Sequence, residues 1–192
     1  MKKLVRLVVA GLACAVLLAG CSGQGKATDP EEVVAEVFEA VKTVDAKTYQ
    51  AYVIDDAGLF ADSDSWGEGE KQLVDIMFHN MTYQIQSVET EDETAMVTAD
   101  ITNSDLSDIV MTAVGGMVNS AMSGDSLDEE AYAAQMMEAM REASYSEDVE
   151  LSTNTAQIEL VKTDGNWKLK MTNDLLNVMG GGNLEDVTRI ME

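Results

Sequence analysis

Basic residues are scarce in this 192-residue chain: 12 Lys and Arg stand against 35 Asp and Glu, a formal net charge of −23. A field of that sign repels phosphate backbones and anionic headgroups, which excludes nucleic-acid binding and argues against electrostatic attachment to an anionic membrane. Histidine occurs once, as His79, so a metal centre built from several imidazoles is excluded. A Ser-His-Asp site would have to recruit that same residue, and no nucleophile-elbow sequence is present. Cysteine occurs only at positions 14 and 21, and proline only at position 30. The uncharged run Leu7–Gly20 has 14 residues, too few for a transmembrane helix, which needs about 20.

The context of that run gives it a meaning. Lys2, Lys3 and Arg6 precede or enter it and small residues close it, the layout of a secretory signal peptide. Its end, Leu18-Ala19-Gly20-Cys21, resembles the lipobox of bacterial lipoproteins. The resemblance implies cleavage after residue 20 and a diacylglycerol on the Cys21 thiol. Residues 1–20 are then a signal peptide, residues 21–28 a lipidated tether of small polar residues, and the chain sits at the outer face of the cytoplasmic membrane. Cleavage also removes Cys14, so no pair of thiols remains for a disulfide, although export would permit one. A plain secreted protein cut elsewhere would leave Cys21 a lone thiol; acylation accounts for it. Two acyl chains anchor stably because each buried CH₂ contributes about 0.8 kcal/mol. Processing takes three bases and no acid, so nine bases face 35 acids and the net charge becomes −26.

The remaining 172 residues fit one domain. Asp29-Pro30-Glu31-Glu32 is a helix start, with a capping aspartate, proline at the first helical position and acids at the positive end of the dipole. Val33, Val34, Val37, Phe38 and Val41 follow at helical spacing. A short helix is expected from Ala46 to about Val53, then an acidic loop over 55–67. Ser65-Trp66-Gly67-Glu68 reads as a capping box for a helix that turns Leu73, Val74, Met77 and Phe78 inward. The period then changes to two: Thr82–Val88 and Thr94–Ile101 read as strands, the second with Ala95, Val97, Ala99 and Ile101 on one face. A helical hairpin is expected over 105–145, weakened at Gly115-Gly116 and restarted by a capping box at Ser126. Strands return at Val149–Val161 and Asn166–Met171, joined by an Asp164-Gly165 turn. Helical pieces are expected at Asp174–Met179 and, beyond Gly180-Gly181-Gly182, at Asn183–Glu192.

That order implies an α+β fold: an antiparallel sheet curved around the N-terminal helices, with the helical hairpin inserted. The segments PEEVVAEVFEAVKTVDAKTY, TYQIQSVETEDETAMVTADITNSDL and AQIELVKTDGNWKL resemble the cystatin-like roll of the nuclear transport factor 2 superfamily. More narrowly, the chain resembles Gram-positive envelope lipoproteins that carry domains of unknown function on that roll. The resemblance spans residues 29–179, leaving 180–192 as a glycine linker and C-terminal helix. Rolls of this kind host enzymes, carriers and interaction modules alike, so the fold does not name an activity.

Candidate chemistry is thin. His79 and Asp100 are the acid–base candidates an enzyme on this roll would use, and Tyr83 could point with His79 into a pocket. Asp62–Glu70 matches a calcium loop at several positions but places Trp66 and Leu73 where ligands belong. Met111, Met117, Met122, Met136, Met137 and Met140 crowd the hairpin. They read as core filler, then as a pliable apolar surface, and last as a copper(I) trap without supporting His or Cys. Lys162, Lys168 and Lys170 form a small basic island that could receive an anion or guard a sheet edge. The expectation is a non-enzymatic, lipid-anchored module that needs no cofactor or metal. It would bind an envelope protein or apolar ligand through Met111, Met117, Met136, Met137, Met140, Tyr83 and His79. The competing expectation is a carrier or enzyme with a pocket inside the roll.

Overall fold

A computed structural model describes residues 29–55, 57–121 and 128–182. The leader, the tether and residues 183–192 lie outside the described residues, as do Met122 and Ser126. Helix α1 spans Pro30–Lys42 and starts as its sequence requires: the Asp29 carboxylate accepts the Glu32 N–H at 2.9 Å. Its apolar stripe, Val33, Val34, Val37, Phe38 and Val41, is fully buried. Helix α2 (Ala46–Tyr52) is capped by Asp45 and buries Tyr49. It stops one residue short of expectation because Val53 opens a strand, β1 (Val53–Asp55), where the expected helix meets the loop. Three residues give no legible alternation. The strand exists because it pairs in parallel with residues 169–171, far along the chain.

Helix α3 (Glu68–Phe78) starts later than the Ser65 box predicts. Gly67 is the cap, and Glu70 reaches back to accept the Gly67 N–H at 2.9 Å; the Ser65 hydroxyl instead donates to the Asp62 carbonyl at 2.8 Å. Val74 and Phe78 are buried as expected, but so is Ile76, whereas Leu73 is exposed. The helix is packed on two sides, against the roll and against the inserted hairpin, and a single-stripe reading finds only one of them.

Five strands form one sheet in the order β1-β5-β4-β3-β2, with β2 at Thr82–Glu91, β3 at Thr94–Ser104, β4 at Leu151–Thr163 and β5 at Asn166–Met171. All neighbours run antiparallel except β1 and β5. The β2–β3 link expected over 89–93 shrinks to Asp92-Glu93, with Asp92 at φ 49°. Gln86 forms a bulge in β2, which bends that strand and increases its twist. Asp164 and Gly165, at φ 53° and 77°, make the tight turn their identities predict.

Ala95, Val97, Ala99 and Ile101 of β3 face inward as expected. Beside them lie Ala156, Ile158 and Leu160 of β4 and Trp167, Leu169 and Met171 of β5. Side chains of α1, together with Tyr49, Phe60, Val74 and Phe78, fill that face. The α+β roll is therefore occupied by its own helices.

Helices α4 (Leu106–Ala121) and α5 (Glu129–Ser144) are inserted between Ser104 and Leu151, which pair directly across β3 and β4. Helix α4 runs unbroken through Gly115-Gly116. The cap of α5 is Asp128, whose carboxylate accepts the Ala131 N–H at 2.8 Å, two residues beyond the box expected at Ser126. Buried polar contacts join β3 to α3, and α3 to the hairpin. The Asn103 amide donates to the carbonyls of Met77 (2.8 Å) and Met179 (2.7 Å). Asn80 donates to the Ser144 carbonyl at 2.7 Å, and the Ser144 hydroxyl donates to the Ile76 carbonyl at 3.0 Å. Helix α6 (Asn173–Met179), capped by the Thr172 hydroxyl, closes the described fold.

Candidate functional site

The residues singled out by the sequence do not meet at one place. Tyr83 is half-buried, edge-on to Phe38 of α1 with ring centroids 4.9 Å apart. Burial first, and Glu39 second, push its phenol above the ordinary value. His79 is exposed at the end of α3, on the hairpin side. Its ring stacks on Tyr145 at 3.7 Å, and the Tyr145 hydroxyl donates to Asp75 at 2.6 Å. That bond is the main cause of the raised Tyr145 pKa, followed by desolvation. His79 thus belongs to a surface contact between α3 and the end of α5. Asp100 lies on the outer face of the sheet and accepts from Gln86 (2.8 Å) and Thr155 (2.6 Å). Those bonds tie neighbouring strands together.

The methionines divide. Met117 and Met140 are buried, and Met140 lies in a second core with Ile76, Leu106, Ile109, Val110 and Ala113, against which Met136 and Met137 pack. Met111 is 56 % exposed, as are Val118 (54 %) and Tyr132 (50 %) in comparable degree. Among the described methionines of the hairpin, Met117, Met136, Met137 and Met140 are buried or packed against a core and Met111 is at the surface. The lysines are separately engaged: Lys162 sits 4.8 Å over the Trp167 ring, Lys170 pairs with Glu159 at 2.6 Å, and Lys168 donates to the Ala51 carbonyl. In the 62–70 segment a turn of 3₁₀ helix is followed by the start of α3. Among the described residues no group of three or more His, Cys, Asp or Glu is arranged to hold a metal ion.

The prominent concavity is a groove of about 790 Å³ along the inserted hairpin. Its walls are α4 (Asp108 to Gly116), the end of α5 (Ala139, Glu142, Ala143) and the segment 146–150 that leads into β4. Ile109, Met111, Ala113, Ala139, Ala143 and Val149 supply an apolar lining; Asp108, Glu142, Asp148 and Glu150 supply acids. No histidine, cysteine, lysine or arginine is among the lining residues. The groove suits an apolar segment held by contact area and bounded by negative charge. A hollow of about 210 Å³ beside Tyr49, Gln50, Val53, Phe60 and Ala61 is less than the 300–1,000 Å³ common for ligand pockets. The groove was missed in the sequence because its walls come from three separated segments. The helical spacing of Ala139, Glu142, Ala143 and Ser146 marks one wall, but nothing in the sequence says what faces it.

Among the described residues no helix is long and apolar enough to cross a membrane. No family model matches the chain, and no curated protein matches it. Solved structures do resemble it. One is a protein assigned as a lipoprotein, YcdA, of Bacillus subtilis (16 % identity, TM-score 0.46), a match covering 80 % of this chain and 47 % of that one, so the chain spans about half its length. Another is a protein assigned as an NTF2-like transpeptidase of Campylobacter jejuni (12 % identity, TM-score 0.31, 75 % and 100 % of the two chains). A third is a protein assigned as a dehydratase of the NTF2-like family of Streptomyces avermitilis (16 % identity, TM-score 0.32, 73 % and 92 %). These three likenesses cover 73–80 % of this chain.

Proposed function

We propose that the protein is a lipid-anchored, extracytoplasmic interaction module without catalytic activity, and that it binds through the groove on its inserted hairpin. The observation that carries this reading is the location of open space. The inner face of the sheet is filled by α1 and its neighbours, whereas the large concavity lies outside the roll on the insertion. A carrier or enzyme working inside the roll would need that inner space, with Tyr83, His79 or another polar group pointing into it. Tyr83 and His79 rest instead on separate aromatic partners. Anchoring is supported by the Leu18-Ala19-Gly20-Cys21 sequence after a short charged and apolar leader. With Pro30 opening the first helix, the tether of residues 22–28 reaches about 25 Å at most, so the groove works close to the membrane.

The test places a photoreactive side chain at Met111 in the full chain, in the source cells, and a second one at Thr155 on the outer sheet face. Irradiation is expected to yield a discrete adduct from position 111 and none from 155. Equal, diffuse labelling from both positions would overturn the groove as the binding face. Release of the protein from membranes by Cys21→Ser checks the anchor, and retention of that variant would refute it.

A further inference from the structure

We infer that the groove on the hairpin takes an apolar protein segment ending in lysine or arginine, with its basic end at the root of the hairpin. The inference rests on the groove reading above and adds the charge and direction of the occupant. The first observation is where the acids stand. The Asn80 amide nitrogen donates to the Ser144 carbonyl at 2.7 Å and to the Ser104 hydroxyl at 3.4 Å. One side chain thus holds the last residue of α5 beside the residue two before α4. The first turn of α4, with Asp108, and the last turn of α5, with Glu142, meet at this root. Asp148 and Glu150 follow in the segment that returns to β4, whose Leu151 pairs with Ser104. All four acids line the groove. The far end of the α4 wall, at Gly116, is about 12 Å away at the helical rise, and Met111, Thr112 and Ala113 bring no charge to it.

The second observation is that these acids are left to an outside partner. Among the described residues none of the four takes part in an ion pair. Arg141, the base nearest to them in the sequence, donates through Nε and Nη2 to Glu138 at 2.9 and 2.6 Å and does not line the groove. The third is a local rule that is broken. Glu142 stands in the last turn of α5, where the helix carbonyls concentrate negative charge and a base is the favourable residue. Breaks of local preference gather where a function asks for them. A basic end seated at the root replaces repulsion by attraction, while the apolar stretch covers the exposed Met111 and the uncharged wall. About eight helical residues or four extended ones span that wall. Opposite charge across such a contact sets the partner and its direction more than the affinity. An anionic lipid surface meets the same four acids and is repelled.

The experiment places a photoreactive side chain at Met111 of the full chain, in the source cells, and sequences the linked peptide by mass spectrometry. Three backgrounds are compared. One is the unchanged chain. The second carries Asp108→Asn, Glu142→Gln, Asp148→Asn and Glu150→Gln. The third removes the same charge elsewhere, with Glu36→Gln, Glu89→Gln, Glu91→Gln and Glu93→Gln, all exposed and outside the groove. The expected result is a linked peptide with an apolar run ending in Lys or Arg. Its yield should fall at least fivefold in the groove variant and stay within twofold in the third background. A photoreactive group at Ser146, at the root, should link nearer the basic end than Met111 does. An unchanged yield in the groove variant, or a linked peptide without a base, overturns the proposal and leaves the groove reading standing. Equal losses in both variants also overturn it, as a general effect of charge. A link to lipid or to a second copy of this chain overturns it in favour of that occupant. The absence of a discrete adduct from the unchanged chain overturns both readings. If the fourfold groove variant loses its cooperative melt, Glu142→Gln alone decides: a loss of twofold or more is expected, and an unchanged yield overturns the proposal.

Discussion

Asn103 shows how much one side chain does in this fold. It is fully buried at the end of β3, where its amide donates to two carbonyls and its own oxygen accepts the Ser104 N–H at 2.8 Å. Replacement by leucine keeps the volume and strands three buried backbone groups, each costing about 1–3 kcal/mol. Asn103→Leu is expected to lower the unfolding free energy by about 3 kcal/mol or more, read from a urea midpoint at unchanged slope; a loss under about 1 kcal/mol would mean that water satisfies the site. Glycine substitutions should differ in sign. Gly181 stands at φ 92° with no room for a Cβ, so Gly181→Ala should cost about 2 kcal/mol or more in the same assay. Gly115 lies in an exposed stretch of α4 with nothing within 4 Å of an added Cβ. There Gly115→Ala should stabilise the protein by about 0.5–1 kcal/mol.

The inserted hairpin is the element on which the functional reading depends, and its attachment is specific. Ser104 and Leu151 pair across β3 and β4, so both strands reach the same point whether or not α4 and α5 follow. The contacts between roll and insertion include the Ile76 side chain, the Asn80–Ser144 and Ser144–Ile76 hydrogen bonds, the Tyr145–Asp75 bond and the His79–Tyr145 stack. Replacing residues 105–150 by Asn-Gly, a favoured two-residue hairpin link, is expected to leave a cooperatively folding sheet with a lower melting temperature and an exposed Ile76. Circular dichroism during a thermal melt decides it, and loss of the cooperative transition would show that the insertion is part of the folding unit. The same element explains why sequence reading found one buried side of α3 and missed the other: Ile76 is buried by side chains of α4 and α5, far along the chain. It also explains the methionines: among the described residues of the hairpin Met136, Met137 and Met140 pack the second core and Met111 lies open in the groove.

At the scale of the whole molecule, charge governs behaviour. With 35 acids against 12 bases, self-repulsion opposes the compact state, so added salt should raise stability by screening. Acid has two opposing effects. As pH falls from 7 toward about 5 the first protonations relieve repulsion, and stability should rise. Further down, favourably held carboxylates are lost. The Thr48 hydroxyl, then the Thr48 N–H, hold Asp45 below its ordinary 3.8, and Arg141 does the same for Glu138. A carboxylate whose folded pKa is depressed stabilises the fold above its unfolded value and loses that contribution as pH falls through the folded one. The Asp45 part should therefore disappear below pH 3.8, and Asp45→Asn should flatten the acid limb of a melting-temperature profile. A limb unchanged in that variant would refute the assignment.

The sequence by itself determined the start of α1 at Asp29-Pro30, the alternation of β3, the Asp164-Gly165 turn and the α+β order. Each of these is carried by residues adjacent in the chain, where capping, fixed φ and period act locally. Tertiary structure alone decided the parallel β1–β5 pair, the double packing of α3 and the filled inner face of the sheet. It also decided the placement of His79 and Tyr83 on separate partners and the groove walled by α4, α5 and residues 146–150. Each of those joins residues tens of positions apart, and which of them meet is set by how the layers pack, a choice that no local pattern records.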